Sequence, residues 1–399
     1  MKLRLNKTVS AVASGALLLM VVPAVGLAST SGAASKPSYT IGYEGPLSGG
    51  NAQLGLNMVF GVELAINNAN ATHKLPFTLK LKKYDSQGSS TLAPAQAEGA
   101  VANKNVVAVV GPSFSGETKA AEPYYSNADM ATVSPSATAA ALAFGTKNNF
   151  MRVIAGDDVQ GAADANYLVK TKALKTLIVV NDGSFYGAGL ATVVAKQAAT
   201  NGATVTPYTY PQTGSCGGTA SVSQYTAAAT QIVADKASGL FYGGYFCDFG
   251  LLLGALNAAG YTGTIMSGDG SWSTALIAGT SPASAANNVL LSEAGGGNSN
   301  LTGKLAAEYK ALAHFTANNA TYAAQAYDAT NMIIAALQKV KPVSNLKKFR
   351  ESIVTELHKL TFKGVTGTIK FQGNGDLTRS STVDFGQVQS GNIVSIGHS

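Results

Sequence analysis

The sequence predicts an α/β protein built as two doubly wound, parallel-sheet lobes. Strand and helix patterns alternate along almost the whole stretch from residue 39 to residue 266. The series begins twice, at Tyr39 and again near Phe150. Repeated β–α units of this length call for parallel sheets with right-handed crossovers, and two series in one chain make two lobes.

In order, residues 39–43 read as a strand. Residues 51–68 read as a helix, because Leu54, Met58, Val62 and Ile66 are spaced along one face. Phe77, Leu79 and Leu81 alternate with Thr78, Lys80 and Lys82, the period-two mark of a half-exposed strand. A helix over 92–103, an apolar strand over 106–110, a helix over 116–127 and a short apolar stretch over 131–133 follow. The second series reads as helix 159–170, strand 176–180, helix 188–200, strand 203–208 and helix 222–236. Strand 239–242, helix 249–259 and strand 264–266 complete it. After Val289 the pattern changes to helices over 304–314, 322–340 and 346–357. Strands over 364–371, 382–388 and 393–396 follow, separated by Gly-Asn-Gly-Asp and Ser-Gly-Asn turns. This tail has too little core of its own and should complete the lobes already begun.

Two strand ends carry the functional signal. Val106 to Val110 runs into Gly-Pro-Ser-Phe-Ser-Gly, and Ala131-Thr132-Val133 runs into Ser134-Pro135-Ser136-Ala137-Thr138. Both read as the carboxyl end of a parallel strand followed by a helix start, with hydroxyls where the chain turns, the edge where α/β sheets take ligands. Ser113, Ser115, Ser136 and Thr138 would then surround one small anionic group, such as a carboxylate. Each serine taken singly reads equally as a helix N-cap; two hydroxyl-rich loops in successive units favour a site.

Lys2, Arg4 and Lys7, the apolar run from Ala11 to Leu27 and the small residues before Ala28 read as a signal peptide over 1–28. Residues 29–38 read as a flexible leader. About 370 residues remain, enough for two domains. Removing the three positive charges of the leader takes the net charge from +7 to +4, and the remaining basic residues are scattered. That distribution argues against a nucleic-acid partner. Cys216 and Cys247, an even count in an exported chain, read as a disulfide closing a loop of about 30 residues and contributing roughly 3 kcal/mol. A reactive thiol is the alternative.

No G-x-S-x-G, H-E-x-x-H, C-x-x-C or phosphate-loop motif occurs, so neither an enzyme nor a metal or cofactor is expected. The four histidines, His73, His314, His358 and His398, stand on no strand-end loop opposite Ser115. A secreted hydrolase is therefore the weakest reading.

The ordered motifs resemble the type I periplasmic substrate-binding proteins of branched-chain amino-acid ABC transporters. The resemblance runs through Ile41-Gly42-Tyr43-Glu44-Gly45-Pro46-Leu47-Ser48-Gly49 and Gly111-Pro112-Ser113-Phe114-Ser115-Gly116. It continues through Ser134 to Thr138, Asn181-Asp182-Gly183-Ser184-Phe185-Tyr186-Gly187, Phe241 to Tyr245 and Tyr322 to Ala329. It implies three hinge crossovers, near Asp157, Leu290 and Val383. The first lobe is then 39–156 plus 290–382, and the second is 157–289 plus 383–399. It implies that the Ser115 and Thr138 hydroxyls and the Ser136 backbone hold an amino acid's carboxylate and amine. It also implies that Tyr186, Tyr245 and Asp269 close over the ligand, with Asp269 as partner of the amine and Tyr322 near the side-chain pocket. Ser267-Gly268-Asp269-Gly270 is also good turn chemistry, which leaves Asp269 a structural alternative.

Leu54, Ser113 and Asp269 depart from the family pattern, in which an aromatic, an apolar residue and a glutamate are common. Small polar amino acids, amides, urea-like compounds and aromatic acids stay open as ligands. The resemblance further implies a monomer that hands its ligand to ABC permease subunits in the membrane. The same fold also serves as a sensory ligand-binding subunit.

Overall fold

Five buried residues in a row make β3 (Val106–Val110), as a central strand covered by helices on both faces requires. Around it the first sheet has the order β2-β1-β3-β4-β5, all parallel, with β1 (Ser38–Gly45), β2 (Thr78–Asp85), β4 (Ala131–Ser134) and β5 (Phe150–Arg152). In β2, at the edge, Leu79 and Tyr84 turn inward while Lys80, Lys82 and Lys83 face solvent. The crossovers are α1 (Ala52–Ala71), α2 (Ala93–Ala102) and α3 (Ser115–Asn127). Leu54, Met58, Val62 and Ile66 of α1 are all buried, as their spacing required.

This computed structural model describes residues 36–142, 149–213, 219–295, 301–314, 320–378 and 382–399. The 1–28 signal peptide, most of the 29–38 leader and Cys216 lie outside the described residues. Among the described residues no helix is long and apolar enough to cross a membrane.

The second series comprises α4 (Asp157–Asn166), β6 (Thr176–Asn181), α5 (Phe185–Thr200), β7 (Thr204–Thr209) and α6 (Thr219–Ala234). It continues with β8 (Gly239–Gly243), α7 (Phe246–Ala258), β9 (Thr264–Ser267), α8 (Thr274–Gly279) and β10 (Leu290–Ala294). Then come α9 (Gly303–Ala313), α10 (Ala323–Lys339), α11 (Leu346–Lys359), β11 (Phe362–Gly364), β12 (Gly367–Ile369), β13 (Val383–Gln389) and β14 (Asn392–His398). The second sheet is ordered β14-β13-β10-β9-β8-β6-β7, parallel except for the antiparallel β13 and β14.

Helices α9 to α11 return to the first sheet. Tyr309 of α9 donates to the Asn57 carbonyl at 3.0 Å. The buried Arg350 guanidinium of α11 donates to the carbonyls of Val106, Val101 and Asn103 at 2.9–3.2 Å. β10 pairs within the second sheet along its whole length, so the chain leaves that sheet after Ala294.

Three details differ from the sequence expectations. The helix expected over 159–170 begins at Asp157 and widens into a π-type turn over Tyr167–Thr171. α8 was not expected, and β10, which the residue pattern did not show, begins where the resemblance put a crossover near Leu290. The single strand expected over 364–371 is a hairpin of β11 and β12. Asp328 of α10 causes that turn, accepting the Val365 N–H at 3.0 Å and the Thr366 N–H at 2.8 Å.

Candidate functional site

β3 and β4 end at one edge, and their loops build the first wall. Gly111 holds φ +112, and a Cβ there would stand 2.3 Å from the Glu44 carbonyl oxygen, so only glycine fits. The turn sends the Ser113 side chain inward. Its hydroxyl donates to the Glu44 carbonyl at 3.0 Å and pairs with the Tyr43 hydroxyl at 3.0 Å. The Ser136 hydroxyl donates to the Ser113 carbonyl at 2.6 Å. Both hydroxyls therefore tie loops together, and neither faces a ligand as a free donor.

Ser115, at the first position of α3, accepts the Ala139 N–H at 3.1 Å and joins the two loops. Thr138 is fully buried and its hydroxyl has no well-directed partner. Its carbonyl accepts the Asp157 N–H at 2.8 Å, which sets the start of α4 beside it. Both Asp157 carboxylate oxygens are buried, with the Thr138 hydroxyl beside them but poorly aligned as a donor. Burial, then the charge of Asp269, pushes the Asp157 carboxyl well above its usual range, while Thr138 and Arg152 pull the other way.

The second wall comes from the ends of β6, β8 and β9. Ser184 caps α5 by accepting the Gly187 N–H at 2.9 Å, which presents Tyr186 on the first turn. Tyr186 donates to Asp269 Oδ1 at 2.6 Å and accepts the Gly270 N–H at 3.1 Å. Tyr322 donates to Asp269 Oδ2, also at 2.6 Å. Tyr322 precedes α10 in the left-handed region at φ +67, a costly conformation for a tyrosine. Burial raises the Asp269 carboxyl, and the two phenols offset part of that rise.

Tyr245 packs 5.1 Å from Tyr186 and stacks on Phe114 of the other wall, centroids 4.3 Å apart at 26°. Asp182 holds the Tyr245 N–H at 3.3 Å and the Ser184 hydroxyl at 2.6 Å. Beside the stack opens a cavity of 530 Å³ lined by Gln87, Ser90, Phe114, Lys119, Phe185 and Tyr245. Ser115 and Thr138 thus follow strands of the first sheet and Tyr186, Tyr245 and Asp269 follow strands of the second, while Tyr322, at the head of the first-lobe helix α10, reaches across to Asp269. Phe114, Asp157, Gln160 and Glu293 were missed by the sequence reading. Phe114 lay inside a quoted motif, between the two serines; the acids carried no local pattern. Among the described residues no His, Cys, Asp and Glu grouping could hold a metal ion.

Residues 38–392 match the family model described as periplasmic binding protein. The chain belongs to the periplasmic binding protein family. This periplasmic binding protein is 26% identical over 340 residues to the Leu/Ile/Val-binding protein BraC3 of Rhizobium johnstonii, covering 84% of this chain and 89% of that one. It is 27% identical to the leucine-, isoleucine-, valine-, threonine- and alanine-binding protein of Pseudomonas aeruginosa, covering 90% and 92%. The leucine-binding protein LivK of Thermotoga maritima superposes with a TM-score of 0.77 at 22% identity, covering 90% and 98%. A solute-binding protein of R. palustris in complex with benzoate gives 0.76 at 16% identity, covering 90% and 96%. At such identities the solved structures speak for the fold, the two-lobed parallel-sheet architecture of type I binding proteins.

Proposed function

We propose that this protein captures an amino acid in the cleft between its lobes and delivers it to the membrane permease of an ABC importer. The observation that carries the reading is the convergence on Asp269. Two phenols, from α5 and from the head of α10, hold this buried carboxylate, which in this reading faces the hydroxyls of Ser115 and Thr138. A zwitterion needs an anion for its ammonium and donors for its carboxylate, both sheltered from water. Asp269 and Asp157 serve the first need; Ser115, Thr138 and the backbone at Ser136 serve the second. Ser113 has a positioning role through Tyr43. Tyr186, Tyr245 and Tyr322 close the opposite side. Charge-assisted hydrogen bonds contribute roughly 1.5–3 kcal/mol each, so three or four reach the ~8 kcal/mol of micromolar binding after ordering costs.

The relatives' names, which specify leucine, isoleucine, valine, threonine or alanine, support an amino acid as ligand, and binding proteins rather than enzymes make up the matched family. Export through the 1–28 leader, a monomeric mature protein and a Cys216–Cys247 disulfide belong to the same reading. Cys247 is buried on the first turn of α7, and the chain has one other cysteine.

A thermal-shift panel of leucine, isoleucine, valine, threonine, alanine and benzoate tests the reading. A cognate ligand at 100 times its dissociation constant adds about 2.7 kcal/mol. Asp269→Asn should abolish the shift from every amine-bearing ligand and leave a benzoate shift untouched. A panel in which no amino acid raises the melting temperature sinks the assignment.

A further inference from the structure

Glu293 on β10 is fully buried, and neither of its carboxylate oxygens has a hydrogen-bond partner. Strand register places it at the cleft. β10 pairs in parallel with β9 through Leu290–Met266 and Leu291–Ser267. Beyond that last rung the chain reaches Glu293, still on β10, and Asp269, in the turn that follows β9. Both acids thus lie at the carboxyl edge of the second sheet, the edge where ligands bind in such folds. Burial, then the charges of Asp269 and Asp384, pushes the Glu293 carboxyl well above its usual range, and Glu293 in turn acts on the Tyr322 phenol. Its cross-strand neighbour on β13 is Asp384, a like charge.

The neighbouring Ser292 points the other way, toward α4, where its hydroxyl donates to Asp164 at 3.0 Å and accepts from Gln160 Nε2 at 2.9 Å. Gln160 keeps its own Oε1 buried and unpartnered, as Asp157 does both of its oxygens. Buried oxygens without donors, on Glu293 of β10 and on Asp157 and Gln160 of α4, therefore lie near Asp269. The Arg152 cation beside Asp157 is committed elsewhere, donating to Asp376 at 2.7 Å and to the carbonyls of Ala137 and Ala139 at 3.2 and 3.0 Å. A ligand with one ammonium supplies Asp269 and Asp157 and leaves Glu293 buried without a donor. Burying a carboxylate that way is costly, whereas a second cation from the ligand removes the cost.

Resting on the amino-acid reading above, we propose that the cleft takes an amino acid carrying a second positive group, a diamino or guanidino acid, with Glu293 holding the distal cation. Titration calorimetry and thermal shift with L-lysine, L-ornithine, L-arginine, L-leucine and the carboxylate-free amines cadaverine and agmatine test it. At least one of the basic amino acids should bind tenfold or more tightly than leucine. Glu293→Gln should lose at least tenfold affinity for that ligand, with an equal or higher melting temperature when ligand-free. Leucine binding as tightly as every basic amino acid, or undiminished affinity in Glu293→Gln, overturns the proposal and leaves the amino-acid reading standing. Binding of cadaverine or agmatine without any amino acid keeps the two-cation site and overturns the amino-acid reading. Silence across the panel overturns both. Should Glu293→Gln fail to fold, the wild-type ranking of lysine, ornithine and arginine against leucine decides alone.

Discussion

Glu117, at the third position of α3, holds the cleft aromatic Phe114 in place. Its carboxylate accepts the Phe114 N–H at 2.7 Å and the Ser86 hydroxyl. Burial raises this carboxyl to about 7, with the Ser86 bond pulling it down. An unfolded glutamate loses its proton near pH 4.3. Between that pH and about 7 the folded state keeps a proton that the unfolded chain has released, so stability falls as pH rises through the window. The contribution is on the order of 3 kcal/mol at most. Urea denaturation of wild type at pH 5 and pH 7.5 should show this decline. Glu117→Gln should show a smaller one; part remains because burial also raises Glu122 to about 7. An unchanged slope in the variant would remove Glu117 as its source.

At the scale of elements, α1 and α10 meet at Gly61, where a Cβ would stand 2.3 Å from the Ala323 carbonyl oxygen. Backbone cannot yield as a side chain can, so Gly61→Ala must move the head of α10. Tyr322 precedes that head and carries its phenol to Asp269. The expected outcome is a loss of about 1–3 kcal/mol of stability, typical of overpacking, together with weakened ligand binding. Gly373→Ala, with open space around it, should change neither. Equal melting temperatures for Gly61→Ala and wild type would refute the contact. The face of α1 that Gly61 shares was legible because Leu54, Met58, Val62 and Ile66 mark it in one helical period. β10 left no strand pattern of its own, because Ser292 and Glu293 interrupt its apolar run. α8 has six residues, too few for a period to emerge. The 362–369 hairpin depends on Asp328, 37 residues earlier than the backbone it holds, and no local pattern records such a bond.

In the whole molecule, the residues expected at the site stand out in the sequence where a motif marks a strand end. Ser115, Thr138, Tyr186, Tyr245, Asp269 and Tyr322 come from separated segments, and the proposed function gathers them around one ligand. The inward turn of Ser113 was not legible, since it depends on Tyr43 from the adjacent strand. Isolated acids such as Asp157 and Glu293 look like surface residues until two lobes bury them. Closure itself rests partly on the Phe114–Tyr245 stack, which joins an element of the first lobe to one of the second. Such a ring pair contributes about 0.5–1.5 kcal/mol beyond its buried area. Removing it lowers the closed population, and the apparent affinity falls with the competent fraction. Phe114→Ala and Tyr245→Ala should each weaken ligand binding about 2–10-fold, mainly through faster dissociation. The double variant should lose little more than either single one, because each change already breaks the same contact. Stopped-flow dissociation rates for the four proteins decide the matter: fully additive losses would mean that the rings act separately and that no stack holds the lobes together.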